Sequence, residues 1–350
     1  MSEGLLETAE APSPKGSRED ALVMRDVRVT LPTGRGRLRI IRDATFHVGK
    51  GEIVALAGES GSGKSTSIMA ALRLLPAGAQ VEGTILLDGQ GVLAMPKRRL
   101  RDLRAKRARL VFQDPWRSLH PMKRIGAQLV ESARTADPSL SRDAARRLAE
   151  QMLARVGIPE PASRMNSYPH EVSGGQSQRI VIAMALVAGP AVLFCDEPTT
   201  ALDVTTQAQI LELLKELNRE LGLSIVIATH DLDVIADLAD RLVVMYAGEV
   251  VESGPTAEVL TRPRHPYTWS LLRSAPGSHE PGGRLHTIEG RPPGPAERLT
   301  GCAFAARCPS AHEVCGSARP EPRPVAPGRT AACLLAEGYG PITPGARDEH

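Results

Sequence analysis

Residues 22–30, LVMRDVRVT, alternate apolar and polar side chains and predict a strand with one face toward a core. The run EIVALAG (52–58) is apolar without alternation, which predicts a short buried strand passing into a glycine-rich turn. KSTSIMAALRLL (64–75) then takes up helical spacing, and GTILLDGQ (83–90) reads as another strand closed by a turn. Residues from about 116 to 188 are mostly helical in pattern, including the long apolar stretch after Gly175. AVLFCDEP (191–198) returns to a strand, followed by a helix over 206–221, the strand SIVIATH (224–230) and a further helix. Two more strands follow in RLVVMYAGEVVE (241–252). Strands alternating with helices predict an α/β fold with a mostly parallel sheet, interrupted by an all-helical insert. From about residue 276 proline and glycine become frequent, so the pattern predicts that the sheet domain has ended. No internal repeat is visible.

Composition narrows the class. The 350 residues are 42% hydrophobic and 24% charged, the profile of a soluble globular protein long enough for a core domain and an extension. A net charge of +3 is too small to argue for a nucleic-acid partner. No apolar run approaches the ~18 residues that a membrane span needs. Residues 1–20 lack the basic-then-apolar layout of a secretion signal and are read as a flexible leader. A cytoplasmic chain is expected, in a reducing compartment where clustered cysteines more often hold metal than form disulfides.

Two motifs carry chemistry. GESGSGKST, with Gly58, Gly61, Gly63, Lys64, Ser65 and Thr66, fits the phosphate-loop spacing G-x-x-x-x-G-K-[ST]. Its glycines let backbone amides curl around phosphate oxygens at a helix N-terminus. The predicted nucleotide-binding set is Ser60, Gly61, Gly63, Lys64, Ser65 and Thr66, with Lys64 on the β- and γ-phosphates and the Ser65 hydroxyl on Mg²⁺. A chance glycine-rich turn is the plain alternative, but the motif follows a buried strand and opens a helix, as phosphate binding requires. VLFCDEP supplies two acids at a strand end: Asp196 to hold Mg²⁺ and Glu197 to orient or deprotonate the attacking water. Cys195, inside that strand, reads as a small core residue.

VSGGQSQR (172–179), together with those two motifs, resembles the signature of ATP-binding cassette proteins. Alone, Ser-Gly-Gly before a helix is only a helix cap. The resemblance implies a phosphate-loop ATPase domain with a helical subdomain and an antiparallel N-terminal subdomain. It also implies that Ser173, Gly174, Gly175 and Gln176 meet the γ-phosphate of ATP held by a partner subunit. By the same resemblance, Gln113 in LVFQDP serves Mg²⁺ and senses the membrane partner, and Asp203 in TTALD couples the two sites. His230, 33 residues beyond Glu197, is the switch histidine. The expected catalytic set is Glu197, His230 and Gln113, and the expected Mg²⁺ set is Ser65, Gln113 and Asp196. Position 177 is serine where the family usually has arginine. The family also stacks adenine on an N-terminal aromatic, yet residues 1–45 contain no Phe, Tyr or Trp and Leu31 stands in that region.

FQDPWRSLHP, YPHEVSGG, DEPTTALDVTTQAQIL and HPYTWSLL are similar to the ATPase subunits of dipeptide and oligopeptide importers. So is GCAFAARCPSAHEVC (301–315). The resemblance implies an ATP-binding domain over 21–260, with a helical insert at about 116–188, and a cysteine-containing extension over 261–350. It implies a cassette that hydrolyses ATP and drives peptide import from the cytoplasmic face of the membrane. The partners it implies are a paralogous ATPase in a heterodimer, two membrane permease subunits and, indirectly, an extracytoplasmic peptide-binding protein. A soluble cassette ATPase acting on nucleic acid or ribosomes and a redox-responsive regulatory ATPase are the rival readings.

Four of the five cysteines, Cys302, Cys308, Cys315 and Cys333, fall in the last fifty residues, separated by five, six and seventeen residues. Thiolates at such spacing suit a 4Fe–4S cluster or zinc, and free thiols or a disulfide remain alternatives. The importer resemblance implies a 4Fe–4S cluster, although the family often has histidine shortly before the last cysteine and this chain reads GRTAAC. The proline-rich surroundings predict a segment that apolar burial alone cannot hold, so a structural metal is favoured over redox signalling. The basic run KRRLRDLRAKRAR (97–109) is expected to be a solvated helix face, with contact to anionic lipid headgroups as the sharper alternative.

Overall fold

The computed structural model describes residues 20–34, 36–200, 202–274, 287–297 and 299–335. Nearly all of the expected leader, and the last part of the expected extension, lie outside the described residues. The strands are β1 (Asp20–Thr33), β2 (Gly36–Gly49), β3 (Ile53–Ala57), β4 (Gln80–Leu87), β5 (Gln90–Gly91), β6 (Ala108–Val111), β7 (Val192–Asp196), β8 (Ser224–Ala228), β9 (Arg241–Tyr246), β10 (Glu249–Pro255), β11 (Arg323–Ala326) and β12 (Arg329–Ala331). The helices are α1 (Lys64–Ala71), α2 (Lys97–Lys106), α3 (Pro115–Ser118), α4 (Ile125–Ala136), α5 (Arg142–Arg155), α6 (Pro161–Arg164), α7 (Gly174–Leu186), α8 (Val204–Leu221), α9 (Leu232–Leu238), α10 (Thr256–Thr261), α11 (Pro266–Arg273) and α12 (Glu313–Ser317).

The strands run in the order β5-β4-β1-β2-β10-β9-β3-β8-β7-β6. β1 pairs antiparallel with β2 and β4, giving an antiparallel N-terminal layer. At the centre β3 lies parallel to both β8 and β9, and β8, β7 and β6 continue in parallel. β3 (IVALA) and β8 (SIVIA) are buried at every position, which is why both read as unbroken apolar runs: such strands are covered on both faces. One core face packs Ile53, Ala55, Leu193, Cys195 and Ile225 against Ile180, Leu214 and Ile235 of the flanking helices. The other packs Val54, Leu56, Phe194 and Val226 against Ile68 and the β1 face. The apolar face of α8, with Ile210, Leu211, Leu213, Leu214 and Leu217 buried, repeats at three- and four-residue steps.

Helices α3 to α7 form the all-helical segment between β6 and β7. Two expectations need correction. The first helix stops at Ala71 rather than continuing to 75, because Arg73 takes a left-handed backbone with φ 49°. The sheet does not end before 276: β12 pairs antiparallel with β10, and β11 with β12. Burial also contributes to the extension, since Phe304 is 1% exposed and Ala331 1%. Phe304 meets the Tyr246 and Tyr267 rings edge-on at 5.3 and 5.4 Å.

Candidate active site

The loop after β3 can only be built with glycine at two positions. Gly58 has φ +144°, and a Cβ there would lie 2.1 Å from the Met245 carbonyl oxygen. At Gly63, φ +110°, it would lie 2.5 Å from Cδ1 of Ile41. No side chain caps α1, so its first amides point into the loop without a side-chain partner, the arrangement that receives phosphate. The Lys64 ammonium folds back over this loop, donating to the carbonyls of Gly58 at 2.7 Å and Glu59 at 3.2 Å. Burial pulls its pKa below the usual lysine range, opposed by the carboxylates of Glu197, Asp196 and Glu59.

Asp196 ends β7 beside this loop and accepts from the Ser65 hydroxyl at 2.7 Å. Burial raises its carboxyl pKa and Glu197 adds to the rise, while the Ser65 hydrogen bond and Lys64 oppose it. Two hard oxygen donors so placed, near a lysine and a phosphate-binding turn, fit a magnesium ion. Glu197 has a left-handed backbone, φ 49°, and its amide donates to the Ala228 carbonyl at 2.9 Å. Its carboxylate accepts from Gln113 at 3.2 Å and from the Thr200 hydroxyl at 3.1 Å, while His230 Nδ1 approaches to 3.4 Å. The expected catalytic set of Glu197, His230 and Gln113 is thus brought together on one carboxylate. Thr200 was missed; it stands in the quoted TTALD run, three residues past Glu197, a spacing that turns its hydroxyl back.

The Ser173 group is organised on its own helix. Ser173 caps α7, its hydroxyl accepting from the Gln176 amide at 3.3 Å, while the Gln176 side chain accepts from the Ser173 amide at 3.2 Å. Asp203 caps α8 in the same way through Thr206, at 2.9 and 2.7 Å. The two caps abut: a Cβ on Gly175 would lie 2.6 Å from Cγ2 of Thr206. Ser173 and Gln176 therefore bond each other and not the phosphate loop. Ser177 is fully buried. Leu31 is half-buried on β1, facing Leu38 across the β1–β2 hairpin. Cys195 is a core residue, its thiol pushed up to about 12 by burial.

A profile of the ABC transporter family, described as "ABC transporter", matches residues 41–200, and one described as "Oligopeptide/dipeptide transporter, C-terminal region" matches residues 251–315. The oligopeptide transport ATP-binding protein OppD of Escherichia coli (strain K12) is 42% identical over 330 residues, 94% of this chain and 97% of that protein. The dipeptide transport ATP-binding protein DppD of Bacillus subtilis (strain 168) is 41% identical over 321 residues, 91% and 96% of the two chains. The chain belongs to the ATP-binding cassette family. Among solved cassettes, a dimeric post-hydrolysis state of MJ0796 bound to ADP and phosphate aligns with TM-score 0.60 and 28% identity over 67% of this chain and 98% of its own.

In this cassette the C-terminal region is wrapped onto the ATPase core. Cys302 donates its amide to the Cys315 carbonyl at 2.8 Å, and the Cys333 sulfur accepts from the Leu335 amide at 3.4 Å. Burial raises the Cys302 thiol, with Cys333 and Cys315 adding to the effect. Cys333 is raised first by burial and then by Cys308 and Cys315. All four thiols thus share one neighbourhood, but among the described residues no three His, Cys, Asp or Glu side chains close on a metal-holding point. The expected cluster therefore has the donors but not a closed site in the structure. The basic run is partly structural: Arg104 donates to the carbonyls of Leu72 and Arg73 at 2.7 and 2.6 Å. Arg107 pairs with Asp88 at 2.6 Å and Arg109 reaches the Ser132 hydroxyl at 3.2 Å. Two further side chains touch the phosphate loop without having been expected, Tyr267 and Arg307.

Proposed function

We propose that this cassette is the ATP-hydrolysing subunit of a peptide importer, acting peripherally at the cytoplasmic face of the membrane. Its ATPase domain would span 21–260, and its extension 261–350. No helix among the described residues is long and apolar enough to cross a membrane, so translocation falls to separate permease subunits. The observation that carries the ATPase reading is the meeting of the phosphate loop with Asp196, through Ser65 at 2.7 Å, next to Glu197, whose carboxylate accepts from Gln113 at 3.2 Å. The import reading is supported by the match of residues 251–315 to the oligopeptide/dipeptide transporter C-terminal region.

On ATP binding, Lys64 exchanges two backbone carbonyls for phosphate oxygens, and the α1 amides take the remaining charge. Ser65, Asp196 and Gln113 would hold Mg²⁺, which supplies charge neutralisation across the β- and γ-phosphates. Glu197 orients the attacking water and takes its proton, with Gln113, Thr200 and His230 fixing the carboxylate. Ser173, Gly174, Gly175 and Gln176 face the ATP of a paralogous partner in a heterodimer, and Asp203 links the two sites. Closure on ATP and release after hydrolysis drive two permease subunits that receive peptide from an extracytoplasmic binding protein.

The extension is proposed to carry a 4Fe–4S cluster on Cys302, Cys308, Cys315 and Cys333. Supporting it is the donor set: the Cys302 and Cys333 thiols hold their protons through burial and mutual repulsion, which a cationic centre would relieve. Peptide uptake by proteoliposomes containing the assembled transporter tests the function. ATP-dependent uptake lost with Glu197→Gln is expected, and ATP turnover indifferent to permease and peptide would refute it. Iron and labile sulfide, assayed on protein purified without air, test the cluster; one zinc, or no metal in active protein, refutes it.

A further inference from the structure

Arg307 sits in the short turn Ala305–Arg307, between Cys302 and Cys308, and its side chain is only 5% exposed. A buried guanidinium needs partners for its N–H groups, and this one has them. It grips the Glu59 carboxylate with two prongs, Nη1 to Oε2 at 2.8 Å and Nη2 to Oε1 at 3.0 Å. Its other donors reach the Tyr246 hydroxyl at 3.1 Å and the carbonyls of Ile288 and Glu289 at 3.1 and 2.9 Å.

Glu59 is the second residue of the phosphate loop. Its amide donates to the Tyr267 hydroxyl at 2.8 Å and its carbonyl accepts from Lys64 at 3.2 Å. The one acid within the loop is therefore both fastened and neutralised by the extension. Without Arg307 a bare carboxylate would stand next to the site that must receive a polyphosphate, and like charges repel. The guanidinium in turn depends on the cysteine turn: the Arg307 amide donates to Phe304, Cys308 to Ala305, and Ala305 to Cys302, at 2.9, 3.3 and 3.1 Å.

We propose that Arg307 is a positioning residue of the nucleotide site: held by the turn between Cys302 and Cys308, it neutralises and fixes Glu59, so that the condition of the cysteine segment sets the affinity for ATP. This rests on the reading of the loop as an ATP site and not on which metal, if any, the thiols hold.

The test is a double-mutant cycle on the full chain, with ATP affinity measured by calorimetry. Arg307→Gln is expected to weaken ATP binding about tenfold, the scale of one charge-assisted contact, and to raise KM in the assembled transporter with kcat kept at saturating ATP. In a Glu59→Gln background the same substitution should change affinity by less than about twofold, because no carboxylate remains to be neutralised. The loss should shrink as salt is raised, as a screened repulsion does. Reversible blocking of the half-buried thiols of Cys302, Cys308 and Cys333 with a methanethiosulfonate should likewise weaken ATP binding when Glu59 is present, and not in Glu59→Gln. Unchanged affinity in Arg307→Gln, or equal losses in both backgrounds, would overturn the proposal; equal losses would mean that the extension had merely come apart. A folded wild-type chain that does not bind ATP would overturn the functional reading as well, whereas normal wild-type binding with an indifferent Arg307 overturns this inference alone.

Discussion

Replacing Arg329 by methionine tests what holds the extension to the sheet. Arg329 on β12 and Glu252 on β10 form an ion pair at 2.6 Å with side chains 4% and 0% exposed. Arg329 also donates to the Arg262 carbonyl. Methionine retains most of the bulk and removes the charge, leaving the Glu252 carboxylate with only the amides of Arg264 and His265, at 2.8 and 3.0 Å. Removing one partner of a buried pair costs about 3–5 kcal/mol. The two remaining amide donors place this case near the lower end, about 3 kcal/mol. For a chain of 350 residues, at about 2.1 cal/mol/K of unfolding entropy per residue, that corresponds to a fall in melting temperature of roughly 4 °C. Scanning calorimetry of the full chain, wild type against Arg329→Met in one buffer, measures it directly. The double variant Glu252→Gln/Arg329→Met should recover part of the loss, because no uncompensated charge stays buried. A shift under about 2 °C, or a double variant no better than the single, would refute the reasoning. The β10–β12 pairing would then be held by its backbone alone.

Glu197→Gln should bind ATP while hydrolysis falls about 10²–10⁴-fold, and a wild-type single-turnover rate would remove Glu197 from the role of base. Leu31→Tyr supplies the missing ring: base stacking worth about 1–3 kcal/mol predicts roughly 5–150-fold tighter ATP binding. Equilibrium titration with ATP and GTP checks this, and a wild type already preferring ATP tenfold would show that another group stacks the base. His265 is buried neutral, its pKa lowered by burial from 6.5 to about 3, with Nδ1 accepting from the Tyr267 amide at 3.0 Å. Below the unfolded value the unfolded chain takes up a proton that the folded chain refuses, so stability is full above pH 6.5 and falls by about 1.4 kcal/mol per pH unit on the way to the folded value. His265→Gln should flatten that acid limb in denaturation curves taken between about pH 6 and pH 4, and an unchanged slope would refute the assignment.

The central strands and the phosphate loop were legible because burial on both faces writes an unbroken apolar run and phosphate binding writes glycines at fixed spacing. β2 was not. Its pairing with β1 shifts register four times, and the two shifts between Val27 and Thr30 put the extra residue in β2, between Ala44 and Arg39, which breaks the alternation of β2 itself. β6 is four residues long and directly follows a run of arginines, so its motif was visible while its strand was not. The site divides the same way. Ser65, Asp196 and Glu197 were found because their motifs sit at strand ends, whereas Gln113 and His230 were found only through the family resemblance. Thr200 and Arg307 act through contacts that no periodicity encodes, Arg307 across 248 residues of chain.

What fastens the extension explains why the sequence suggested a segment in need of a metal. Alongside Phe304 and the β10–β12 pairing, arginines anchor the extension to the core. Arg42 on β2 donates to the Glu297 carbonyl at 2.9 Å, Arg241 on β9 to the Gly328 carbonyl at 2.9 Å, and Arg319 reaches Glu249 at 3.2 Å. Arg329 and Arg307 complete the set from the extension's side. A hydrophobic pattern cannot see such anchors, since each takes a charged residue that composition assigns to the surface. The anchors also differ in how they respond to solution. Arg319 is 45% exposed and its pairs are open to screening, whereas Arg307 and Arg329, 5% and 4% exposed, are shielded from it. Raising salt should therefore loosen the Arg319 edge first while the two buried arginines keep their carboxylates. The link from the cysteine turn to the phosphate loop is thus one of the two better-shielded contacts, second to the fully buried Arg329–Glu252 pair.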